Sequence, residues 1–115
     1  MNEVTRQRVL GLVGLGLRSR GAVVGVQQVR DAAIKGKLAY AVVATDAATN
    51  SLDKVLPLLK ARGIRHVQDI PAEELGALAG RTATAVIGIV DRNLARGIRA
   101  LVESAPDDGA HRRGV

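Results

Sequence analysis

Leu38-Ala-Tyr-Ala-Val-Val-Ala-Thr45 is the stretch that decides the fold, because its eight residues include no charged side chain and show no apolar–polar alternation. A second stretch of the same kind is Thr84-Ala-Val-Ile-Gly-Ile-Val90. A strand with one face in water alternates between apolar and polar residues, whereas a continuous apolar run is typical of a strand that is buried on both faces. The two runs therefore predict central strands that are covered by helices above and below.

Helical patterns surround these two strands. Apolar residues recur at helical spacing in five segments, which predicts helices over about Thr5–Ser19, Val26–Lys35, Asn50–Ala61, Pro71–Ala79 and Asn93–Glu103. Two further short strands are predicted over 21–24 and 64–68. Alternating strands and helices indicate the α/β class. We expect a three-layer α-β-α sandwich with a small mixed central sheet, formed as one domain by residues 1–103 and followed by a flexible tail over 104–115.

The composition excludes several classes of protein. A chain of 115 residues that is 47% hydrophobic suits one globular domain. There is no cysteine, which excludes a disulfide framework, a zinc finger and a thiol nucleophile. Tyr40 is the only aromatic residue. Because single-strand binders stack bases on aromatic rings, that mode of nucleic-acid binding is excluded as well.

The charge of the chain is basic and uneven. The net charge is +6, and residues 1–37 carry seven basic and two acidic side chains. Such an excess favours a polyanionic partner, whereas a merely soluble basic protein is the plain alternative. The apolar stretch 9–17 imitates a signal peptide, but it is too short to span a membrane, and Arg18 and Arg20 follow it where a cleavage site should stand. We expect a cytoplasmic protein without a membrane partner.

No set of side chains in the sequence has the pattern of a catalytic or metal site. Asp46 and Asp91 each follow a central strand, where α/β proteins often bind ligands, but helix capping is the commoner role of such residues. His66 and His111 do not have metal-ligand spacing. The glycines of the segment 11–16 lack the strand and the spacing of a dinucleotide fingerprint, and close helix packing explains them better. We therefore expect no enzyme, no metal and no cofactor.

The start of the second helix is the strongest candidate for a binding site. It reads Gly25-Val-Gln-Gln-Val-Arg30. Glycine allows a close backbone approach, and the amino end of a helix presents N–H groups to a phosphate. The carboxamides of Gln27 and Gln28 suit the edges of bases. Basic residues in the same part of the sequence are Arg18, Arg20, Arg30, Lys35 and Lys37. A solvated helix face in an arginine-rich chain accounts for the same residues.

Five ordered blocks of the sequence resemble the ribosomal kink-turn-binding family, which includes the bacterial YbxF-type and YlxQ-type proteins. The blocks are Gly25-Val-Gln-Gln-Val-Arg-Asp-Ala-Ala-Ile-Lys-Gly36, Leu38-Ala-Tyr-Ala-Val-Val-Ala-Thr-Asp46, Val55-Leu-Pro-Leu-Leu59, Pro71-Ala-Glu-Glu-Leu-Gly-Ala-Leu-Ala-Gly80 and Ala85-Val-Ile-Gly-Ile-Val-Asp91. Gly14-Leu-Gly-Leu-Arg-Ser-Arg-Gly21 resembles the start of the YlxQ-type branch. The resemblance implies the same sandwich fold and a non-catalytic protein that binds structured, kink-turn-like ribosomal RNA.

The resemblance also implies which residues contact RNA. In the family, the second helix begins with Gly-x-Asn-Glu and a Lys three residues later, and the Asn and Glu read sheared G·A pairs. Gly25 is kept here, whereas Gln27, Gln28 and Asp31 stand at the Asn, Glu and Lys positions. The family's second contact, the loop before the last strand, corresponds to Gly80-Arg-Thr-Ala83. The RNA-binding residues expected here are Gly25, Gln27, Gln28, Arg30, Lys35, Lys37, Arg81 and Thr82.

Two rival interpretations remain open. Gln27, Gln28 and Asp31 favour a protein–protein interaction module on the same fold that has lost kink-turn recognition. A substrate-binding domain that works with an RNA-modifying enzyme is a third interpretation, and it rests on the fold alone. Asn2-Glu-Val-Thr-Arg6 matches the family's RNA-reading motif almost letter for letter, but it lacks the preceding glycine and the following strand. We interpret that match as coincidence, with Thr5 as a helix cap.

Overall fold

Five helices and four strands alternate along residues 1–104, which are the residues that the computed structural model describes. The helices are α1 (Glu3–Arg18), α2 (Val26–Ile34), α3 (Thr49–Ala61), α4 (Ala72–Leu78) and α5 (Arg92–Ser104). The strands are β1 (Ala22–Val24), β2 (Tyr40–Ala44), β3 (His66–Ile70) and β4 (Val86–Ile89). All nine predicted elements are present, and the predicted tail lies outside the described residues from position 105 onward.

The four strands form one mixed sheet in the order β1-β4-β2-β3. β4 is antiparallel to both of its neighbours, and β2 is parallel to β3. The register pairs Tyr40 with Ile89 and Val43 with Val86. Both apolar runs of the sequence therefore occupy the two interior positions of the sheet, where each strand is paired along both of its edges.

The sheet separates two apolar layers. Every residue of β2 is buried. Tyr40, Val42 and Ala44 face one layer, and Ala41 and Val43 face the other. Helices α1, α4 and α5 cover the first face with Val9, Val13, Leu75, Ala95 and Ile98, and helices α2 and α3 cover the second with Val29, Ala32, Ala33, Val55 and Leu59. Burial on both sides explains why β2 and β4 lack alternation, and the predicted three-layer sandwich is confirmed.

The register of the strands defines two ends of the sheet. Ala44 and Val86 lie at one end, beside the start of α2, and we call it the Gly25 end. Tyr40, Ile89 and Ala22 lie at the other, which we call the Tyr40 end. Because α2 starts directly after β1 and its chain returns into β2, the helix runs from the Gly25 end towards the Tyr40 end.

Helix α1 differs from its prediction at its cap and in part of its glycine packing. The Asn2 side chain, and not Thr5, caps the helix: its Oδ1 accepts the Thr5 N–H at 2.8 Å, and Thr5 itself is buried. A Cβ on Gly16 would lie 3.3 Å from both Ala22 Cβ and Leu94 Cδ1, so close packing accounts for this glycine, whereas a Cβ on Gly11 would meet open space. Within residues 1–104, no helix has the length and apolar character needed to cross a membrane.

Strand β3 lies two residues further along the chain than predicted. Within the described part of the chain, it is an edge strand that pairs only with β2. Its His66, Gln68 and Asp69 are exposed, and Ile70 is its one fully buried side chain. A strand with so few buried positions leaves a weak apolar pattern, which explains the shifted boundaries.

Candidate nucleic-acid interface

Helix α2 begins at a glycine whose backbone conformation excludes other residues. Gly25 has φ +90° and ψ 163°, a region that is essentially restricted to glycine. Its N–H donates to the carbonyl of Val86 at 2.9 Å, which joins the start of the helix to β4. As the N-cap it supplies no side chain to the first turn. Within residues 1–104, no side chain caps the amides of that turn, which leaves them available to an anion.

Gln27 and Gln28 are exposed on this first turn, and each is held by one hydrogen bond. The Gln28 Oε1 accepts the backbone N–H of Val24 at 3.2 Å. The Gln27 Nε2 donates to Asp31 Oδ1 at 3.0 Å. A carboxamide offers two N–H donors and an oxygen acceptor. Gln28 therefore presents its amide donors to a ligand, whereas Gln27 presents its carbonyl oxygen.

The loop before β4 reaches the start of α2. A Cβ on Gly25 would lie 3.5 Å from Arg81 Nη1, so the guanidinium of Arg81 stands beside the helix terminus. The backbone N–H of Arg81 donates to the carbonyl of Gly76 at 2.8 Å, which joins the loop to α4. Thr82 follows in the same exposed loop. The structure thus brings together two segments that are more than fifty residues apart in the sequence.

The Arg30 side chain contacts α3 and not Asp31, the acidic residue that follows it in sequence. Its Nη1 donates to the carbonyl of Lys54 at 2.6 Å. Beside this contact lies a shallow groove of about 480 Å³, lined by Val26, Gln27, Arg30, Asp53 and Lys54. Sequence reasoning missed Lys54. No local signal could have found it, because only the packing of α3 on α2 places it there.

Lys35 and Lys37 do not join this surface. They follow the last turn of α2, and a helix rises about 1.5 Å per residue, so Lys35 lies about 12 Å along the axis from Gln27. Both lysines are exposed near the Tyr40 end. Of the eight sequence-predicted residues, the structure groups six at the Gly25 end: Gly25, Gln27, Gln28, Arg30, Arg81 and Thr82.

The two aspartates that follow the central strands are helix caps. The Asp91 Oδ1 accepts the N–H groups of Asn93 and Leu94 at 2.8 and 3.0 Å, at the start of α5. The Asp46 Oδ1 accepts the N–H of Ala72 at 2.8 Å, so Asp46 at the end of β2 caps α4 at the end of the neighbouring strand β3 and not α3, the next helix in sequence. Among the described residues, no group of three or more His, Asp and Glu could hold a metal ion. His111 lies outside the described residues.

Solved structures share this fold. A protein of unknown function from Bacillus halodurans matches with a TM-score of 0.76 and 27% identity, over 83% of this chain and 96% of that chain. A 15.5 kD RNA binding protein from Giardia lamblia matches with a TM-score of 0.75 and 23% identity, over 90% of this chain and 92% of that chain. Neither a family model nor a curated protein matches the sequence.

Proposed function

We propose that this chain is a non-catalytic cytoplasmic protein that binds structured, kink-turn-like RNA, ribosomal RNA foremost, at the Gly25 end of its sheet. The observation that carries the proposal is the position of Arg81 beside Gly25, because the uncapped start of α2 and the loop before β4 then form one surface. The resemblance to kink-turn binders implies the same pair of RNA contacts. The RNA-binding protein from Giardia lamblia, which has the same fold, adds support.

Each group at this surface has a chemical role in the proposal. The free amides of the first turn of α2 and the guanidinium of Arg81 contact phosphates. The Gln28 amide donates to base edges, and the Gln27 carbonyl oxygen accepts from them. Neither group carries a charge, so their hydrogen bonds are weaker than those of a carboxylate.

The surface carries little net charge, so its binding has to depend on shape. Arg30, Lys54 and Arg81 are basic, whereas Asp31 and Asp53 are acidic. Few phosphates are therefore neutralised here. Phosphate contacts position a protein on its nucleic acid, whereas base edges and RNA shape supply the specificity that the proposal needs.

A binding titration at fixed salt tests kink-turn recognition. The two ligands are a kink-turn RNA and the same RNA with its G·A pairs replaced by Watson–Crick pairs. We expect at least about tenfold tighter binding to the kink-turn, corresponding to about 1.4 kcal/mol. The double variant Gln27→Ala with Gln28→Ala should remove that difference. Equal affinity of the parent chain for both RNAs would overturn the proposal.

A second variant tests the basic residues of the surface. Replacing Arg30 and Arg81 by Gln should weaken binding and reduce the slope of log K against log salt by about 0.7–0.9 for each phosphate contact that is lost. The matched control replaces Arg8 and Lys60, which are exposed and lie outside this surface. Unchanged binding by the Arg30 and Arg81 variant would rule out the proposed surface.

A protein-interaction module is the second candidate function. The observation that favours it is the mixed charge of the α2–α3 groove, where Asp53 shares the lining with Arg30 and Lys54. Asp31, held by Gln27, would repel a phosphate close by. Pull-downs before and after ribonuclease treatment separate the two functions, because only partners that depend on RNA are lost on digestion.

A further inference from the structure

Arginines are concentrated at the Tyr40 end, away from the surface just described. Three of them lie on α5 at positions 92, 96 and 99. Steps of four and three residues place them on one face of the helix. Two more belong to the connection between α3 and β3. The full set is Arg62, Arg65, Arg92, Arg96 and Arg99.

These arginines line two adjoining cavities. A cavity of about 270 Å³ lies over Tyr40 and is bordered by Arg65, Arg96 and Arg99. A second cavity of about 380 Å³ adjoins it and is bordered by Arg62. The two cavities share Ala39, Gly63 and Arg92 in their linings. We call the combined depression the arginine groove.

Few carboxylates offset this charge. Glu103 accepts from Arg65 Nη1 at 3.1 Å and from Arg99 Nε at 3.2 Å. Within residues 1–104, no ion pair is formed by Arg62, Arg92 or Arg96, although Arg62 donates to the carbonyl of Ile34 and Arg96 to the side chain of Asn93. The nearby Asp91 is engaged by the first amides of α5. Among residues 1–104, Glu103 is thus the one carboxylate that forms ion pairs with these five arginines, and it pairs with two of them.

The floor of the groove carries a hydroxyl that no described residue satisfies. Tyr40 is 2% exposed and lines the cavity that Arg65 and Arg99 border. Among residues 1–104, no group forms a hydrogen bond with its phenolic oxygen. Burial, followed by the charge of Glu103, raises the pKa of Tyr40, so the phenol keeps its proton and remains a donor at neutral pH. An anion in the groove would receive that hydrogen bond together with those of the arginines.

We propose that the arginine groove is a second RNA-binding surface, which holds backbone phosphates of a helical RNA segment and places one phosphate beside the Tyr40 hydroxyl. This inference rests on the proposed function. Guanidinium groups bind phosphate oxygens in pairs and do not read base identity at the backbone. Between the two surfaces lies β2, whose five residues span about 17 Å. One chain would therefore contact the kink with the Gly25 end and a flanking helix with the arginine groove.

The test measures binding of the full chain to the kink-turn RNA and to a straight RNA duplex with the same flanking helix. Arg92→Gln with Arg96→Gln removes two exposed charges without touching the core. We expect at least about tenfold weaker binding to both RNAs, and a salt slope lower by about 1.4–1.8. The control variant Arg8→Gln removes an exposed charge from α1, outside the groove, and is expected to change binding less than threefold.

Tyr40→Phe supplies an independent variant, since it keeps the buried ring and removes only the donor. We expect it to weaken binding to the straight duplex about threefold or more. Unchanged affinity would contradict the placement of a phosphate beside this hydroxyl. Circular dichroism of each variant verifies that it is folded.

The outcomes separate this inference from the proposed function. If the arginine variant loses no more affinity than the Arg8 control while the kink-turn preference persists, the groove is refuted and the proposed function stands. If the parent binds both RNAs equally and the arginine variant weakens both, the groove is supported and kink-turn recognition fails. If the parent binds neither RNA, both are overturned.

Discussion

Gly25 holds the conformation on which the start of α2 depends. An alanine there would have to adopt φ +90° with an extended ψ, at a cost of about 1–3 kcal/mol. We expect Gly25→Ala to lower the free energy of unfolding by about that amount, measured by urea denaturation followed by circular dichroism.

Gly11→Ala is the matched control for this prediction. Gly11 lies inside α1, is exposed and has open space around an added Cβ. The same substitution should therefore raise stability by about 0.5–1 kcal/mol, since glycine weakens helices. A Gly25→Ala chain as stable as its parent would contradict the conformational role assigned to Gly25.

Tyr40 provides a second measurement at the scale of one residue. Burial is the largest cause that raises its pKa above the ordinary 10.0, Glu103 adds to it, and Arg65 and Arg99 oppose it. Since no other tyrosine is present, absorbance at 295 nm reports this phenol alone. We expect its midpoint above pH 10 in the folded chain.

The same shift has a consequence for stability. The folded chain holds the phenolic proton more tightly than the unfolded chain does, so the stabilisation is complete below pH 10 and is lost as the pH rises through the raised pKa. A midpoint at or below the ordinary value would contradict the burial of the Tyr40 side chain beside Glu103.

At the scale of elements, the contact between α4 and the loop before β4 sets the position of Arg81. A Cβ on Gly76 would lie 2.4 Å from Ala83 Cα, which is backbone and cannot swing aside. We expect Gly76→Ala to displace the loop and to lower the free energy of unfolding by about 1–3 kcal/mol. Urea denaturation measures the loss.

Arg81→Gln in the same loop separates stability from binding. Its side chain is exposed, so this variant should keep the stability of the parent while it weakens RNA binding. If Gly76→Ala is as stable as the parent chain, the loop accommodates the extra methyl group. That result would contradict the close packing of the loop on α4.

The elements were predictable to different degrees, and burial explains the difference. β2 and β4 are buried on both faces, so their apolar runs identify them without a structure. β3 has three exposed polar side chains at an edge of the sheet, and its boundaries were displaced for that reason. The cap of α4 was not predictable, because Asp46 reaches Ala72 from another part of the chain.

At the scale of the whole molecule, the distribution of charge in space differs from that in sequence. Residues 18–37 form one basic block of the sequence. In the fold, Lys35 and Lys37 follow the last turn of α2 and so lie near the Tyr40 end, away from Gly25. Arg92, Arg96 and Arg99 of α5 lie at the Tyr40 end as well. The start of α2 and Arg81 could be proposed from sequence and resemblance. The arginine groove could not, because its residues come together only through packing, although the 92, 96, 99 spacing hints at one basic helix face.

Backbone amide shifts of the ¹⁵N-labelled chain on addition of the kink-turn RNA test the central claim most directly. We expect the largest changes at Val26, Gln27, Gln28, Arg81 and Thr82, and much smaller changes at these amides with the RNA that lacks G·A pairs. Binding that leaves these five amides unmoved, with all changes elsewhere on the molecule, would contradict recognition of RNA at the Gly25 end.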